Sequence, residues 1–304
     1  MSHTRTATAC GLAVALIWGL SFLSIKVAVA TVPPMTMAVA RFAIACAVLP
    51  LVAHLAGESL RVAPRELTLL AAGGLTGITI YFLGENHGVA LLSASEASLV
   101  IGTIPVLTVL SEWLVLGQKG SSRVGAGAAA SFLGVALIVA PALGTPSSRL
   151  GYLCMALAAF SWVAYAFLTR GVAARCGKLA LTFWQSLFGL LGCVPFALGE
   201  AAAWRQPGTA AVLNILYLGV VCSAARYWLY ALALERLGAG RTSVFVNLIP
   251  VVSVLASFLL LGERLGALQL LGGAVAVAGV YLATVSGTRT RRQEAPPTIR
   301  TRDC

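Results

Sequence analysis

The sequence predicts an all-helical integral membrane protein, with ten transmembrane helices arranged as two inverted five-helix repeats. Three observations carry this expectation. The chain of 304 residues is 59% hydrophobic and only 10% charged, against roughly 45–50% and about 25% in soluble globular domains, so it lacks the charge for a water-facing surface. Ten apolar stretches of spanning length follow one another, separated by brief breaks. The second half also repeats the first.

A helix crossing the hydrocarbon core needs about 20 mostly apolar residues. The first stretch, 7–30, is too long for a cleaved signal peptide, contains Trp18 and Lys26, and is followed by similar stretches. It ends at Val32-Pro33-Pro34. The second, 35–55, carries Arg41 and stops at Gly57-Glu58-Ser59. The third, 66–91, carries Glu85, Asn86 and His87. The fourth, 94–116, opens with Glu96, at a helix end that favours a carboxylate, and stops before Gly120-Ser121-Ser122. The fifth, 123–141, closes before Gly144-Thr145-Pro146. The sixth, 151–171, holds Trp162, and the seventh, 177–199, precedes Gln206-Pro207-Gly208. The eighth, 209–236, holds Arg226 and Tyr227; the ninth, 239–262, holds Asn247; the tenth is 266–286. The 31 glycines suit close approach of membrane helices. Residues 287–304 are basic, contain Pro296-Pro297, and read as a disordered tail near anionic headgroups.

The formal net charge of +11 would suggest nucleic acid in a soluble protein. Here the positive-inside rule explains it. With the N-terminus in the cytoplasm, the inner segments hold Arg5, Arg61, Arg65, Lys119, Arg123, Arg170, Arg175, Lys178, Arg236, Arg241, Arg289, Arg291, Arg292, Arg300 and Arg302. The outer loops hold only Arg149, Arg205 and Arg264. Both termini are therefore expected inside, in a bacterial inner membrane. The seven cysteines form no CxxC pair and no zinc spacing with histidine, so neither a disulfide framework nor a metal or other cofactor is expected.

At a shift of 145 residues Ser98 falls on Ser243, Ile104-Pro105-Val106 on Ile249-Pro250-Val251, Leu116-Gly117 on Leu261-Gly262 and Gly134-Val135 on Gly279-Val280; at a shift of 144 Trp18 falls on Trp162. The repeats are expected at 9–141 and 151–286. Five helices is an odd number, so the second repeat enters the bilayer in the opposite sense. That architecture belongs to many secondary transporters, with the substrate near the midplane between repeats.

The run Ala15-Leu16-Ile17-Trp18-Gly19-Leu20-Ser21-Phe22 with Lys26, the pairs Arg41-Phe42 and Glu85-Asn86, and the twin segments reading Ser-x6-Pro and ending Leu-Gly resemble the EamA family of the drug/metabolite transporter superfamily. The closing Leu261-Gly262-Glu263-Arg264 is similar to the family's Gly-Glu-Arg, whereas the first half has Gly117-Gln118-Lys119. The resemblance covers roughly 9–286. It implies two inverted EamA repeats and movement of small metabolites or amino acids, often outward.

Ionisable groups inside a bilayer cost at least about 2.5–3.5 kcal/mol each at the helix centre, which makes them functional candidates. Glu85, flanked by Asn86, leads: it either binds a substrate ammonium or carries a proton, or it is a structural partner of Arg226. Arg226, beside Tyr227, either clamps a substrate carboxylate or sits in a buried ion pair with Glu85 or Glu112. Arg41 is marked by the resemblance, with snorkelling to the outer interface as the other reading; Lys26 is read as snorkelling there, and Glu112 as pairing with Arg123 or Lys119. Trp18 and Trp162 read as cavity walls or as packing, and Asn247 as a substrate or helix contact. Pro105 and Pro250 interrupt equivalent helices and read as hinges or static kinks. Ser98 and Ser243 are positioned to satisfy freed carbonyls or line the path. The pathway is expected between helices one, three, four, six, eight and nine.

No HExxH, Gly-x-Ser-x-Gly, intramembrane aspartate pair or P-loop is present, which argues against an enzyme and against a nucleotide-driven pump. The expected function is a secondary exporter of amino acids or related metabolites working by alternating access; a passive channel and a multidrug efflux carrier are the alternatives. The expected partners are a small-molecule substrate and the lipid bilayer, not nucleic acid. A homodimer is left open.

Overall fold

A computed structural model describes residues 2–116, 122–142, 146–173, 175–225, 245 and 247–293, all helical or in short connections, with no strand among them. In order, α1 is Ser2–Val29, α2 Pro34–Ala56, α3 Pro64–Leu91, α4 Ala94–Ile101, α5 Ile104–Leu116, α6 Ser122–Val139, α7 Pro146–Ala173, α8 Lys178–Gly199, α9 Thr209–Leu216, α10 Ile249–Ala256 and α11 Ala267–Gln293. Among the described residues, seven helical stretches are long and apolar enough to cross a membrane, α4 and α5 counting together as one, and shorter apolar helices cover Thr209–Ser223, Ile249–Leu261 and Ala267–Ala283. The chain is a multi-pass membrane protein. In hydrocarbon the backbone must satisfy its own hydrogen bonds, which long helices do.

The boundaries have local causes. Pro34 opens α2 at a position where a missing N–H costs nothing, and Gly57 closes it at φ 66°, a left-handed cap. Ser93 and Glu96 form a reciprocal capping box at the start of α4. Glu96 is thus the cap-region charge expected of it. α11 continues to Gln293, beyond the expected start of the tail at 287; residues 294–304 lie outside the described residues.

Polarity is inverted relative to a soluble protein. Leu55, Leu114 and Leu259 point outward at 78%, 81% and 73% exposure, while Arg41, Glu85, Asn86, Ser98 and Gln185 are buried.

The packing is reciprocal between halves. α1 packs on α9 and α10, while α7 packs on α3, α4 and α5; α2 packs on α8, and α6 on α11. Glycines make the same contacts twice. A Cβ on Gly127 would lie 2.7 Å from the Gly279 carbonyl, and one on Gly272 would lie 2.6 Å from the Gly134 carbonyl. At the 145-residue shift Gly127 falls on Gly272 and Gly134 on Gly279, so one contact is the image of the other. Gly74 against Gly189, and Gly219 against Ile44, form a second such pair.

The irregularities recur too. π-helical turns occupy Leu75–Ile80 in α3 and Tyr217–Ala225 after α9. Pro50 and Pro195 lie inside α2 and α8. Pro105 and Pro250 occupy the second positions of α5 and α10, just after short turns at Gly102-Thr103 and Asn247-Leu248. Each proline therefore begins a new helix segment where a kink within one was considered; proline fits the first turn, whose N–H groups lack intrahelical partners.

Candidate functional site

A cavity of about 40 Å³ lies between the two halves, lined by Arg41 and Phe42 of α2, Gly77, Ile78 and Phe82 of α3, Trp162 and Tyr165 of α7, Thr182, Gln185 and Ser186 of α8, and Ser223. Two of its walls are the π-helical turns, at Gly77-Ile78 and at Ser223. A π turn widens the backbone ring and often marks a functional site.

Arg41 does not reach an interface: it is buried at 5% exposure. Its Nε donates to Ser223 Oγ at 3.0 Å, and its guanidinium lies 4.5 Å from the Phe82 ring centre and 5.4 Å from that of Phe42. The aromatic faces help offset the loss of water around the charge. Trp162 stands in the opposite wall, 5.0 Å from Tyr165 and 5.1 Å from Tyr81 between ring centres. The Tyr165 hydroxyl donates to Gln185 Oε1 at 3.1 Å. Gln185 is buried at 3% exposure and its Nε2 has no hydrogen-bond partner.

Glu85 stands one layer behind this wall. It is buried and accepts a hydrogen bond from Tyr81 Oη at 2.7 Å. Asn86 is fully buried and its Nδ2 donates to the Pro34 carbonyl at 3.0 Å, tying α3 to the start of α2. Ser98 Oγ donates to the Ser95 carbonyl, one turn back. Asn247 and Pro250 face Gly102 and Thr103 in a second void of about 10 Å³, where the two helix breaks meet. Trp18 lies half-buried in α1, apart from the described lining. Arg226, Tyr227 and Ser243 lie outside the described residues.

α2 and α8, the second and seventh apolar stretches, therefore supply polar lining not expected from the sequence, beside Tyr165 and Ser223 from stretches where it was expected. The available signal was Gln185-Ser186, a polar pair in the middle of the seventh apolar stretch.

Contacts between the halves lie on both sides of the cavity. At the Pro33 end, Glu200 accepts hydrogen bonds from the Met35 and Thr36 amides, and Glu263 from the Ala94 and Ser95 amides at 2.9 and 3.1 Å. Both carboxylates thus cap helices of the opposite half. Glu96 accepts from Tyr152 Oη at 2.8 Å and from Gln269 Nε2 at 2.7 Å. Lys26 Nζ donates to the Val89 and Leu92 carbonyls at the end of α3. At the other end, Arg175 makes a two-pronged pair with Glu66, both bonds at 2.9 Å. That hydrogen-bonded carboxylate raises the Arg175 pKa above its ordinary value. Glu112 pairs with Arg170 across the halves; Lys119, one of its expected partners, lies outside the described residues.

A bundle that is apolar outside and encloses a small polar chamber between reciprocal halves has the build of a membrane transporter. The chain matches the EamA-like transporter family twice, over residues 6–140 and 149–285, and it belongs to that family. It is 28% identical to the "Probable amino-acid metabolite efflux pump" of Escherichia coli, over 92% of this chain and 95% of that protein. It is 27% identical to the "Probable terminal-alkyne amino-acid exporter" of Streptantibioticus cattleyicolor, over 92% of this chain and 94% of that one. An "Uncharacterized transporter" of Archaeoglobus fulgidus is 29% identical, over 88% and 94%. A solved structure titled "Crystal structure of protein" shares the fold with a TM-score of 0.64 at 24% identity, covering 92% of this chain and 98% of that one. The family and the transporter-named relatives indicate a transporter, not an enzyme.

Proposed function

We propose that the chain is a secondary carrier that exports amino acids or closely related metabolites across a bacterial inner membrane, with both termini in the cytoplasm. Ten spans form two inverted repeats, bounded near 9–141 and 151–286, which rock about the chamber around Arg41, Trp162 and Gln185. The observation that carries this reading is the reciprocal packing of the halves around a small cavity with polar and aromatic lining. Alternating access requires two sets of contacts that break in turn. The carboxylate caps at Glu200 and Glu263 form one set, on the outer side in this orientation. The pairs Glu66–Arg175 and Glu112–Arg170 form the other, on the inner side. The printed names of two relatives support an amino-acid class of substrate.

Glu85 acts as a coupling group rather than a substrate contact, because Tyr81 stands between it and Trp162. Its protonation would be felt in the chamber through the Tyr81 hydroxyl.

The test is counterflow in proteoliposomes loaded with a mixture of amino acids and related metabolites, with and without a proton gradient. A carrier shows saturation, and solute on the far side accelerates uptake of label. A channel shows neither. Glu85→Gln is expected to retain counterflow and lose the response to the gradient. Wild-type flux that rises linearly with concentration and ignores solute on the far side would rule out the carrier.

A further inference from the structure

We propose that Glu58 is the inner counterpart of Glu200: when the outer end opens, the Glu58 carboxylate caps the start of α8 and holds the inner end shut. The inference rests on the carrier reading and adds a positioning residue to it.

A glycine-glutamate pair recurs at helix ends. Gly57-Glu58 follows α2, Gly199-Glu200 closes α8, and Gly262-Glu263 follows the stretch Ile249–Leu261; in the sequence Gly117-Gln118 follows α5 likewise. Gly57 and Gly262 are the glycines at positive φ among the described residues, at 66° and 68°. Glu58 therefore leaves its helix by the same kind of turn that aims Glu263 at α4 of the opposite half.

α2 and α8 lie antiparallel, so the end of each stands at the start of the other. At one end Glu200 accepts from the Met35 and Thr36 amides at 3.0 and 2.8 Å and from Thr36 Oγ1 at 2.9 Å, and Trp204 Nε1 donates to the same hydroxyl. At the other end Glu58 stands beside Gly177, the residue before α8: a Cβ there would lie 3.9 Å from Glu58 Oε2. Trp184 Nε1 donates to the Leu60 carbonyl at 2.8 Å and so holds the segment after Glu58 on α8. Yet no side chain caps the start of α8. The outer cap is made here and its inner image is not.

At a shift of 144 residues Pro34 falls on Lys178, so Met35 and Thr36 correspond to Leu179 and Ala180. Their amides are the donors that Glu58 would take, since the first amides of a helix have no intrahelical acceptor and its positive end favours a carboxylate. Lys178 puts a cation at that positive end, an unfavourable placement that a nearby anion offsets. Each outer carboxylate also receives a hydroxyl, from Thr36 or from Ser95. The position matching Thr36 in α8 is Ala180. The inner cap thus has one donor fewer, which favours the form with the outer end closed.

The test is labelling of Val32→Cys by a membrane-impermeant maleimide, added outside right-side-out vesicles holding the full chain and read at that residue by mass spectrometry. Val32 is buried just before α2, so its labelling rate follows the population with the outer end open. Glu200→Gln weakens the outer cap and is expected to speed labelling about fivefold. Glu58→Gln acts from the far end of α8, roughly 30 Å away by the rise of its 22 residues, and is expected to slow labelling about fivefold. Lys178→Gln separates a cap from an ion pair and is expected to stay within about twofold of the unsubstituted chain. Glu58 is exposed, and a size-exclusion profile establishes that its variant is folded. Unchanged labelling in Glu58→Gln beside faster labelling in Glu200→Gln overturns the inner cap and leaves the carrier standing. Equal slowing in Lys178→Gln and Glu58→Gln overturns it as well, because the closure would then be an ion pair. Absence of labelling in every variant would mean that the outer end does not open, and the carrier would fall with the cap.

Discussion

Arg41, Gln185 and Asn86 are all polar groups withdrawn from water, and they differ in what surrounds them. Arg41 and Gln185 border a void, and the Gln185 amide retains a donor with no acceptor. Asn86 has no void beside it in the described lining: its Nδ2 is spent on the Pro34 carbonyl, and its Oδ1, though without a partner among the described residues, borders no described cavity. Burial alone therefore does not mark a site; a site needs space beside a group with hydrogen-bonding capacity in reserve. Asn86→Ala should accordingly lower stability by about 1–2 kcal/mol, the cost of losing a buried hydrogen bond, without changing transport per folded molecule. An unfolding midpoint in detergent, paired with flux normalised to folded protein, measures both. A loss of flux at unchanged stability would move Asn86 into the transport machinery.

Among the elements, helix ends do most to join the halves at the Pro33 end. The first amides of a helix have no intrahelical acceptor, and here α2 and α4 borrow acceptors from the opposite half, Glu200 and Glu263. This gives a physical role to Gly262-Glu263: Gly262 adopts φ 68°, turning the chain so that Glu263 reaches Ala94 and Ser95. The matching first-half residue, Gln118, lies outside the described residues. A capping carboxylate is worth about 1 kcal/mol, which is roughly a fivefold change in an opening equilibrium. Glu263→Ala should therefore speed hydrogen exchange at the Ala94 and Ser95 amides about fivefold and leave Met35 and Thr36, held by Glu200, unchanged. Equal exchange at all four positions would mean that the caps do not act locally.

Across the whole molecule, closure at the opposite end depends on ion pairs between the halves. Glu66 and Arg175 are the best-formed of these, and Arg175 is 48% exposed, so water screens much of the attraction. Reversing either charge should slow transport about two- to fivefold, as expected for a partly exposed pair. The double reversal Glu66→Arg with Arg175→Glu should restore it. Initial rates of labelled solute leaving loaded vesicles measure this. A double variant as slow as the singles would show that the position matters and the attraction does not.

Spans, family and repeat were legible in the linear chain because each depends on properties that need no partner. A bilayer demands about 20 apolar residues per helix whatever stands beside it, and Ile104-Pro105-Val106 matches Ile249-Pro250-Val251 as text alone. The facing of each helix was not legible. Trp162 read as a cavity wall or as packing, and its ring both borders the cavity and packs on Tyr81 and Tyr165. Snorkelling was a reading for both Arg41 and Lys26, and only the structure separates them: Arg41 borders the chamber, while Lys26 caps the end of α3. Glu85 read as a substrate contact, a proton carrier or a structural partner of Arg226, and only the structure shows the Tyr81 hydroxyl beside it. Successive helix residues point about 100° apart, so a side chain's surroundings depend on which neighbour packs against that face. In this protein glycine seams such as Gly127–Gly279 and Gly134–Gly272 set that packing. They join residues far apart in sequence, and only the tertiary structure brings them together.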